Sequence, residues 1–482
     1  KKMVESAING ILKELDPHSS FIPKEEVERV NEPLEGSFEG VGIQFQLFDD
    51  TLLVVQVISG CPAEKVGIQA GDRIIYINDE LIAGVKMRNS DIMKKLRGPK
   101  GSEVRVKIKR NHGRELILFK IIRDKIPIHS VDASYMVTGD IGFIKINNFG
   151  NNTVEEYQKA FAELKKAGMK HLILSLQGNG GGYLNAAIQL ADEFLERDQL
   201  IVYTEGLRQA KNIANASSIG GYENGQLIIL IDEHSASASE IVSGAIQDWD
   251  RGILVGRRSF GKGLVQRQIP LIDGSMLRLT TARYYTPTGR CIQKPYKDGP
   301  DKYENDLLER FKKGEFLHAD SIHFPDSLKY QTLRQKRTVY GGGGIMPDIF
   351  IPIDTTKMTD FHRKVISQGI INKLVVQYIE KNRANLKAKY KTFDFFNASF
   401  QVDKAMMDKL AEMADSEKIT YQPKEIADSE KMISLQIKAL IARDLWTSNE
   451  FYKIIDTTNE SLQEAIRILN TPGLYDKILK KK

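Results

Sequence analysis

The chain carries SASASEI at residues 235–241 and FGKGLVQ at residues 260–266. Before the first stretch, residues 226–232 form an apolar run rich in β-branched residues, which is the pattern of a buried strand. After it, apolar residues recur at helical spacing as far as Ile246. The serines are therefore predicted to lie where a strand turns into a helix, so that a hydroxyl faces the unpaired N–H groups of the helix start.

A serine in that position is either a helix cap or a nucleophile whose oxyanion the free N–H groups hold. Lys262 favours the second interpretation, because a lysine that has lost its proton is a general base. Such a lysine needs desolvation to bring its pKa from about 10.4 toward 7–8, and the flanking glycines permit a backbone path that turns it inward. Gln266 can accept a hydrogen bond from the amine without stabilising its charge as a carboxylate would. The alternative is an exposed Gly-Lys-Gly turn.

Together these stretches resemble the catalytic core of the carboxyl-terminal processing (tail-specific) serine proteases, and the likeness continues through RLTTARYYTPTGR at residues 278–290. The resemblance implies a serine endopeptidase in which Ser237 is the nucleophile, Lys262 the general base and Gln266 the residue that orients the lysine. It also implies that the enzyme requires no metal and no organic cofactor.

A glycine cluster, GNGGG at residues 178–182, follows a predicted strand over residues 172–176. The cluster lacks the lysine and the spacing of phosphate-binding loops. It resembles the glycine motif of the same proteases, which implies an oxyanion hole made by the N–H groups of Gly181, with Gly180 as the alternative, and of Ala238.

Two residues before the glycines depart from the family's pattern. Ser175 and Gln177 stand where the family usually has an aspartate and an arginine. Losing the aspartate removes a charge from the end of the strand, which leaves open how the loop is held and whether the chain is fully active.

Residues 36–124 are predicted to form a separate, mostly β module. Apolar and polar residues alternate over residues 41–47 and 104–108, a short helix fits residues 89–96, and a turn is expected at residues 111–113. The order of these elements resembles a PDZ domain.

The start of this module resembles the carboxylate-binding loop of PDZ domains. Successive backbone N–H groups form a nest for a C-terminal carboxylate, and the adjoining strand edge accepts the peptide by β-addition. The predicted peptide-binding residues are Gly40, Val41, Gly42 and Ile43.

Strands and helices alternate after this module. An amphipathic helix is predicted over residues 153–166, with Thr153 as its cap and Glu156 three residues on, and a strand over residues 141–146 precedes it. This order favours an α/β core with parallel strands.

The predicted fold class is multidomain α+β, with a PDZ β-module, a Clp-protease/crotonase-like α/β catalytic core and helical N- and C-terminal segments. Apolar stripes at helical spacing predict the two terminal segments, and the crotonase-like type is implied by the resemblance. The predicted domains are a helical segment at residues 1–35, the PDZ domain at 36–124, the core at 125–355 with a charged insertion at 296–340, and a helical domain at 356–482.

Three alternatives stay open at this point. His234 with Asp232 or Asp248 could form a Ser-His-Asp site, whereas His18, next to Asp-Pro, is interpreted as structural. A catalytically impaired, PDZ-containing peptide-binding scaffold would follow from the departure at Ser175. An acyl-CoA enzyme of crotonase type is the third, although the serine run and the distant Gly-Lys-Gly have no role there.

Composition limits the partners. The net charge of +6 comes from 69 basic and 63 acidic residues, which is too slight and too mixed to indicate nucleic-acid binding. The sequence contains no apolar run of about 18 residues or more that would span a membrane, and Cys61 and Cys291 show no metal-binding or redox spacing.

The helical start at Lys1 is expected to be a trimmed start, so a signal peptide or lipid anchor is left open. By resemblance we expect a periplasmic or cell-envelope bacterial protein that binds proteins with free C-termini, cleaves near them, and can form homo-oligomers.

Overall fold

A computed structural model describes residues 2–48, 50–110, 115–356 and 358–480. The turn predicted at residues 111–113 lies outside the described residues. In the described part of the chain, none of the helices combines the length and the apolar character that crossing a bilayer requires.

Helices occur in all parts of the chain. Those of the described residues are α1 (Lys2–Lys13), α2 (Lys24–Glu35), α3 (Pro62–Lys65), α4 (Asn89–Leu96), α5 (Thr153–Lys166), α6 (Leu184–Asp192), α7 (Ala238–Asp248), α8 (Pro300–Glu304), α9 (Asp306–Lys312), α10 (Asp360–Ser367), α11 (Ile370–Lys389), α12 (Phe393–Ser399), α13 (Lys404–Ser416), α14 (Pro423–Leu445), α15 (Ser448–Ile455), α16 (Glu460–Asn470) and α17 (Leu474–Leu479).

Strands occupy the part of the chain before residue 351. They are β1 (Ser20–Ile22), β2 (Ser37–Gly40), β3 (Ile43–Phe48), β4 (Thr51–Val57), β5 (Arg73–Ile77), β6 (Glu80–Leu81), β7 (Glu103–Lys109), β8 (Ile117–Ile122), β9 (Asp124–Pro127), β10 (Val131–Thr138), β11 (Ile141–Ile146), β12 (His171–Ser175), β13 (Leu200–Gly206), β14 (Gln209–Asn215), β15 (Leu227–Ile231), β16 (Ile253–Gly256), β17 (Leu264–Pro270), β18 (Met276–Tyr285), β19 (Lys329–Gln331), β20 (Thr338–Tyr340) and β21 (Ile349–Phe350).

The chain divides into two compact units. The first contains Lys1–Gly36, His129–Asp354 and Thr458–Lys482, and the second contains Ser37–Ile128 and Thr355–Thr457. The last helices, α16 and α17, therefore belong to the first unit, so this division does not coincide with the boundary predicted at residue 356. The predicted domain limits stay predictions.

The first unit is built on a sheet of order β10-β11-β12-β15-β16-β21, in which all neighbours from β11 onward are parallel. Every residue of β15 is buried, because a parallel sheet is covered on both faces and its strands read as continuous apolar runs. Helices α5, α6 and α7 lie in the connections between these strands. A second sheet, of order β1-β18-β13-β14 with β17 paired to β18, completes the unit.

Two local predictions in the first unit are wrong. Helix α5 has the predicted limits, but Asn152 is its N-cap and Thr153 lies inside the first turn. The Thr153 hydroxyl instead accepts from Gly150 N–H at 2.8 Å, and it also lies 2.7 Å from the Ser130 hydroxyl. The lead-in is not wholly helical, because β1 pairs with β18 between α1 and α2. The second error arises from a partner distant in sequence, which local patterns do not reveal.

In the second unit, the sheet order is β3-β4-β5-β7-β8, with β6 paired to β5. Strand β3 lies at an edge and directly follows Gly42. Helices α10 to α15 form a separate apolar core in the same unit. Arg73 of β5 holds Glu380 of α11 through two hydrogen bonds of 2.9 and 3.2 Å.

Candidate active site

The candidate catalytic residues follow the carboxyl ends of three adjacent parallel strands. The glycine loop (residues 177–182) follows β12, the serine turn (residues 235–239) follows β15, and the lysine loop (residues 258–263) follows β16. Because β12, β15 and β16 are neighbours and parallel, their carboxyl ends meet at one edge of the sheet. Open α/β sheets place their ligand sites at this edge.

The serine turn holds its central residue in an unusual backbone conformation. Ser237 has φ +54° and ψ −112° immediately before α7. A side-chain-bearing residue in such a conformation costs on the order of 1–3 kcal/mol and persists only where its surroundings enforce it. Strained strand-to-helix turns of this kind expose a nucleophilic serine in other hydrolases.

Glu240 is the group that holds this turn. Its side chain is fully buried, and its carboxylate accepts hydrogen bonds from the N–H groups of Ser237 (2.8 Å), Gly261 (2.7 Å) and Lys262 (2.9 Å) and from the Ser259 hydroxyl. One carboxylate therefore joins the backbone of the serine turn to the backbone of the lysine loop. Burial raises the pKa of Glu240 to about 7, although the hydrogen bonds from its donors oppose that rise.

Lys262 points at Gln266 rather than at the serine. Its Nζ donates to Gln266 Oε1 at 3.2 Å, and Gln266 Nε2 donates to the carbonyl of His18 at 2.6 Å. Burial lowers the pKa of Lys262, and the charge of Arg278 lowers it further. Among the described residues, no hydrogen bond joins Lys262 Nζ to Ser237 Oγ.

Tyr284 makes a second link between the two loops. Its buried hydroxyl lies within hydrogen-bond distance of the carbonyls of Ser237 (3.1 Å) and Lys262. Glu240 and Tyr284 were both missed as site residues by the sequence reasoning. The available signal was Glu240 at the third helical position after a serine, which is the capping-box spacing.

The glycine loop packs directly against the serine turn. A Cβ built on Gly181, whose φ is +100°, would lie 2.8 Å from Ser237 Cβ and 3.0 Å from Ala238 N. The N–H of Gly181 donates to Asn179 Oδ1 at 2.8 Å, whereas no acceptor is assigned in the described chain to the N–H of Gly180 or Ala238. Asn179 also anchors the loop, since its carbonyl accepts from Ala236 N–H at 3.0 Å.

The two departures from the family's pattern have defined environments. Ser175 is buried at the end of β12. The Gln177 carbonyl oxygen Oε1 accepts from Asn459 Nδ2 at 2.8 Å, and Gly178 N–H donates to Asp232 Oδ1 at 3.0 Å. The start of the glycine loop is therefore held by the Asn459 amide, by the Asp232 carboxylate and by Lys145, whose Nζ donates to the Gln177 carbonyl at 2.9 Å.

The Ser-His-Asp alternative finds no support in the geometry. The ring of His234 is 61% exposed and lies 4.0 Å from Glu233. Asp248 forms a fully buried ion pair with Arg290 at 2.7 Å. His18 contacts Tyr303 at 2.8 Å through its ring, and burial lowers its pKa to about 4.

A cavity of about 760 Å³ opens onto the candidate residues. Ser237, Lys262, Gln266, Ala238 and Gly180 all line it. Its lining contains a hydroxyl, an amine of lowered pKa and backbone donors.

The loop of Gly40, Val41, Gly42 and Ile43 belongs to the second unit and is held by its own backbone. Ala63 N–H donates to Val41 O and Ile58 N–H donates to Gly42 O, both at 2.9 Å. Since the two ends of a peptide group point in opposite directions, the N–H groups of Gly42 and Ile43 face away from those donors.

Three regions of the sequence match known families. Residues 140–301 match Peptidase family S41, residues 53–110 match the PDZ domain, and residues 361–447 match a family of unknown function (DUF8443). The predicted fold class is confirmed.

Several bacterial proteases are similar to this chain in sequence. A carboxy-terminal-processing protease of Bartonella bacilliformis is 38% identical over 298 residues, 61% of this chain and 68% of that protein. The carboxy-terminal processing protease CtpB of Bacillus subtilis is 35% identical over 297 residues, 61% of each chain. A solved structure, the photosystem II D1 C-terminal processing protease, is 29% identical, with 61% of this chain and 80% of that chain covered and a TM-score of 0.37.

These findings define a peptidase core joined to a PDZ module. The chain belongs to the carboxy-terminal-processing proteases of peptidase family S41.

Proposed function

We propose that the protein is a serine endopeptidase with a Ser237–Lys262–Gln266 site. The observation that carries this proposal is the strained Ser237 at the start of α7, lining one cavity with a lysine of lowered pKa. Ser237 is half-buried and lines the cavity, and an amine whose pKa is lowered by desolvation is a base that can accept its proton.

The reaction begins when neutral Lys262 Nζ accepts the Ser237 proton while Oγ attacks the scissile carbonyl carbon. This step requires Lys262 to turn from Gln266 toward Ser237, and catalytic hydrogen bonds often tighten only when substrate is bound. The ammonium then gives its proton to the leaving amine as the C–N bond breaks. Lys262 next accepts a proton from water as that water attacks the acyl-enzyme, and it returns the proton to Ser237 Oγ when the Oγ–C bond breaks and the acid leaves.

Backbone N–H groups stabilise the oxyanion of each tetrahedral intermediate. Ala238 at the first position of α7 supplies one of them. Gly181, the other predicted donor, must first break its bond to Asn179, whereas Gly180 lines the cavity and needs no such change.

The PDZ module is proposed to select substrates by their C-termini. The N–H groups of Gly42 and Ile43 would hold the carboxylate while the open edge of β3 pairs with the peptide. We place the protein in the bacterial periplasm or cell envelope, by analogy with the family.

The experiment incubates the purified chain with an unstructured protein that ends in apolar residues and follows fragments by mass spectrometry. Ser237→Ala and Lys262→Ala should each lower kcat/KM by at least about 10³-fold, while the exposed Lys166→Ala remains active. Binding by the wild type without fragments would instead identify a peptide-binding scaffold. Full activity of Ser237→Ala would remove this serine from the mechanism.

A further inference from the structure

The walls of the active-site cavity are basic. Lys262 and Arg278 line it, and the described residues of its lining include no aspartate and no glutamate. Lys262 has a role in the proposed chemistry. Arg278 has none, although it faces the same space.

Strand pairing places Arg278 beside the residues that hold the lysine. In the β17–β18 ribbon, Gln268 lies opposite Arg278 and Gln266 lies opposite Thr280. Residues two apart on a strand share a face, and diagonal neighbours across two strands lie within reach of long side chains. Arg278 and Gln266 are such neighbours, and both line the cavity.

The guanidinium of Arg278 has no protein partner within the described part of the chain. Burial lowers its pKa, so it is partly withdrawn from water. Other arginines of the same unit that are withdrawn from water have protein acceptors: Arg290 pairs with Asp248, Arg337 pairs with Asp250, and Arg251 donates to three backbone carbonyls. Arg278 differs from these arginines because no protein acceptor meets its guanidinium among the described residues, which leaves it available to a ligand from outside the chain.

We propose that Arg278 is a specificity-determining residue that binds a carboxylate of the substrate close to the scissile bond. This inference rests on the proposed function. Guanidinium binds carboxylate through two parallel hydrogen bonds. Because the described lining contains no aspartate or glutamate, no carboxylate of the lining competes with the substrate for Arg278. The carboxylate is either an aspartate or glutamate side chain or the α-carboxylate of a segment that ends within a few residues of the bond.

Arg278 also acts on the reaction through its charge. Three charged groups face Lys262: Arg278 lowers its pKa, and Glu240 and Asp16 raise it. Removing the charge of Arg278 should shift the rise of activity to higher pH for every substrate. Substrate preference must therefore be compared at the alkaline plateau of each variant.

Two pairs of fluorogenic peptides separate the sources of the carboxylate. The first pair is amidated at the C-terminus and carries Glu or Gln next to the scissile bond, so that the PDZ loop is not engaged. The second pair ends within three residues of the bond as a free acid or an amide. Wild type should prefer the carboxylate member of at least one pair by about tenfold to a hundredfold in kcat/KM.

Arg278→Gln should abolish this preference, and Arg278→Lys should keep part of it. Arg267→Gln is the matched control, because Arg267 is exposed on the other face of the same ribbon. Equal rates for both members of both pairs in wild type would overturn the inference, and so would a preference that survives Arg278→Gln.

Binding of the same peptides to the Ser237→Ala protein, measured by fluorescence anisotropy, keeps the two proposals distinguishable. If wild type cleaves nothing but Ser237→Ala binds the carboxylate member more tightly, and Arg278→Gln removes that difference, the function is wrong and the carboxylate site stands. A thermal melt would show whether Arg278→Gln unfolds. In that case Arg278→Lys is the deciding variant, and an unchanged carboxylate preference in both assays would contradict a guanidinium–carboxylate pair at Arg278.

Discussion

The serine turn and the Gly40–Ile43 loop are both short turns that are proposed to offer backbone N–H groups to an oxygen anion, yet they are held differently. The serine turn is held by side chains, with Glu240 and Tyr284 reaching the backbone of Ser237. The Gly40–Ile43 loop is held by backbone hydrogen bonds alone among those described here. The difference follows from strain: Ser237 has φ +54°, which a serine rarely adopts, whereas Gly42 at φ +81° meets no such barrier.

Glu240→Gln should have the largest effect among the variants that test this comparison. The amide keeps the shape of the side chain but turns an N–H₂ group toward backbone N–H donors, so Ser237 and Lys262 should move apart. We expect kcat/KM to fall by about a hundredfold. Glu233→Gln is the matched control, because Glu233 is a buried acid of the same segment that pairs with Arg257 instead. Unchanged kinetics in Glu240→Gln would show that the turn holds itself.

The same variant carries a pH signature. Burial raises the pKa of Glu240 from 4.5 to about 7, so between these values the folded chain keeps a proton that the unfolded chain releases. The stability from this group is complete below pH 4.5 and is lost as pH rises to 7. Denaturant titrations should therefore show the free energy of unfolding of wild type falling relative to Glu240→Gln by up to about 3 kcal/mol over that range. A constant difference would contradict the raised pKa.

A smaller effect is expected from Gly42→Ala in the second unit. The new Cβ would lie 2.4 Å from Cys61 Cβ, in addition to the strain of a left-handed alanine. Affinity for a peptide with a free C-terminus should fall by at least about tenfold, measured by anisotropy in the Ser237→Ala background. Gly84→Ala has a similar φ of +75° with nothing within 4 Å and should bind normally. Equal affinity in both variants would mean that the Gly40–Ile43 loop does not bind the carboxylate.

The smallest effect concerns the glycine loop, which Asn459 contacts through the side chain of Gln177. Asn459→Asp removes the donor to Gln177 but keeps the oxygen that caps α16. We expect activity to fall about two- to fivefold and stability to change by about 1 kcal/mol or less. Asn459→Ala removes the cap as well and should lose about 1 kcal/mol more. A loss as large as that of Glu240→Gln would place the glycine loop among the strained elements.

Local sequence patterns predicted much of the fold, but they did not predict the side chains that hold the candidate site in place. Strand β11 and helix α5 have the predicted limits, because alternation and helical periodicity are properties of neighbouring residues. Helix α6 ends at Asp192, although no strong stop signal stands there in the sequence. Glu240 and Tyr284 act through contacts with residues 21 and 47 positions away, and no periodicity encodes such contacts. The roles of Ser237, Lys262 and Gln266 stay predictions that the proposed variants test.

The hydrogen bond from Gln266 to the carbonyl of His18 spans 248 positions of the chain, and that from Asn459 to Gln177 spans 282. Because the ribosome makes the chain from its amino end, the contact of Gln266 with His18 can form before the contact of Asn459 with Gln177. A chain still in synthesis lacks the second contact until residue 459 has emerged. The acceptor of the lysine can therefore be in place before the helix that contacts the glycine loop has been made.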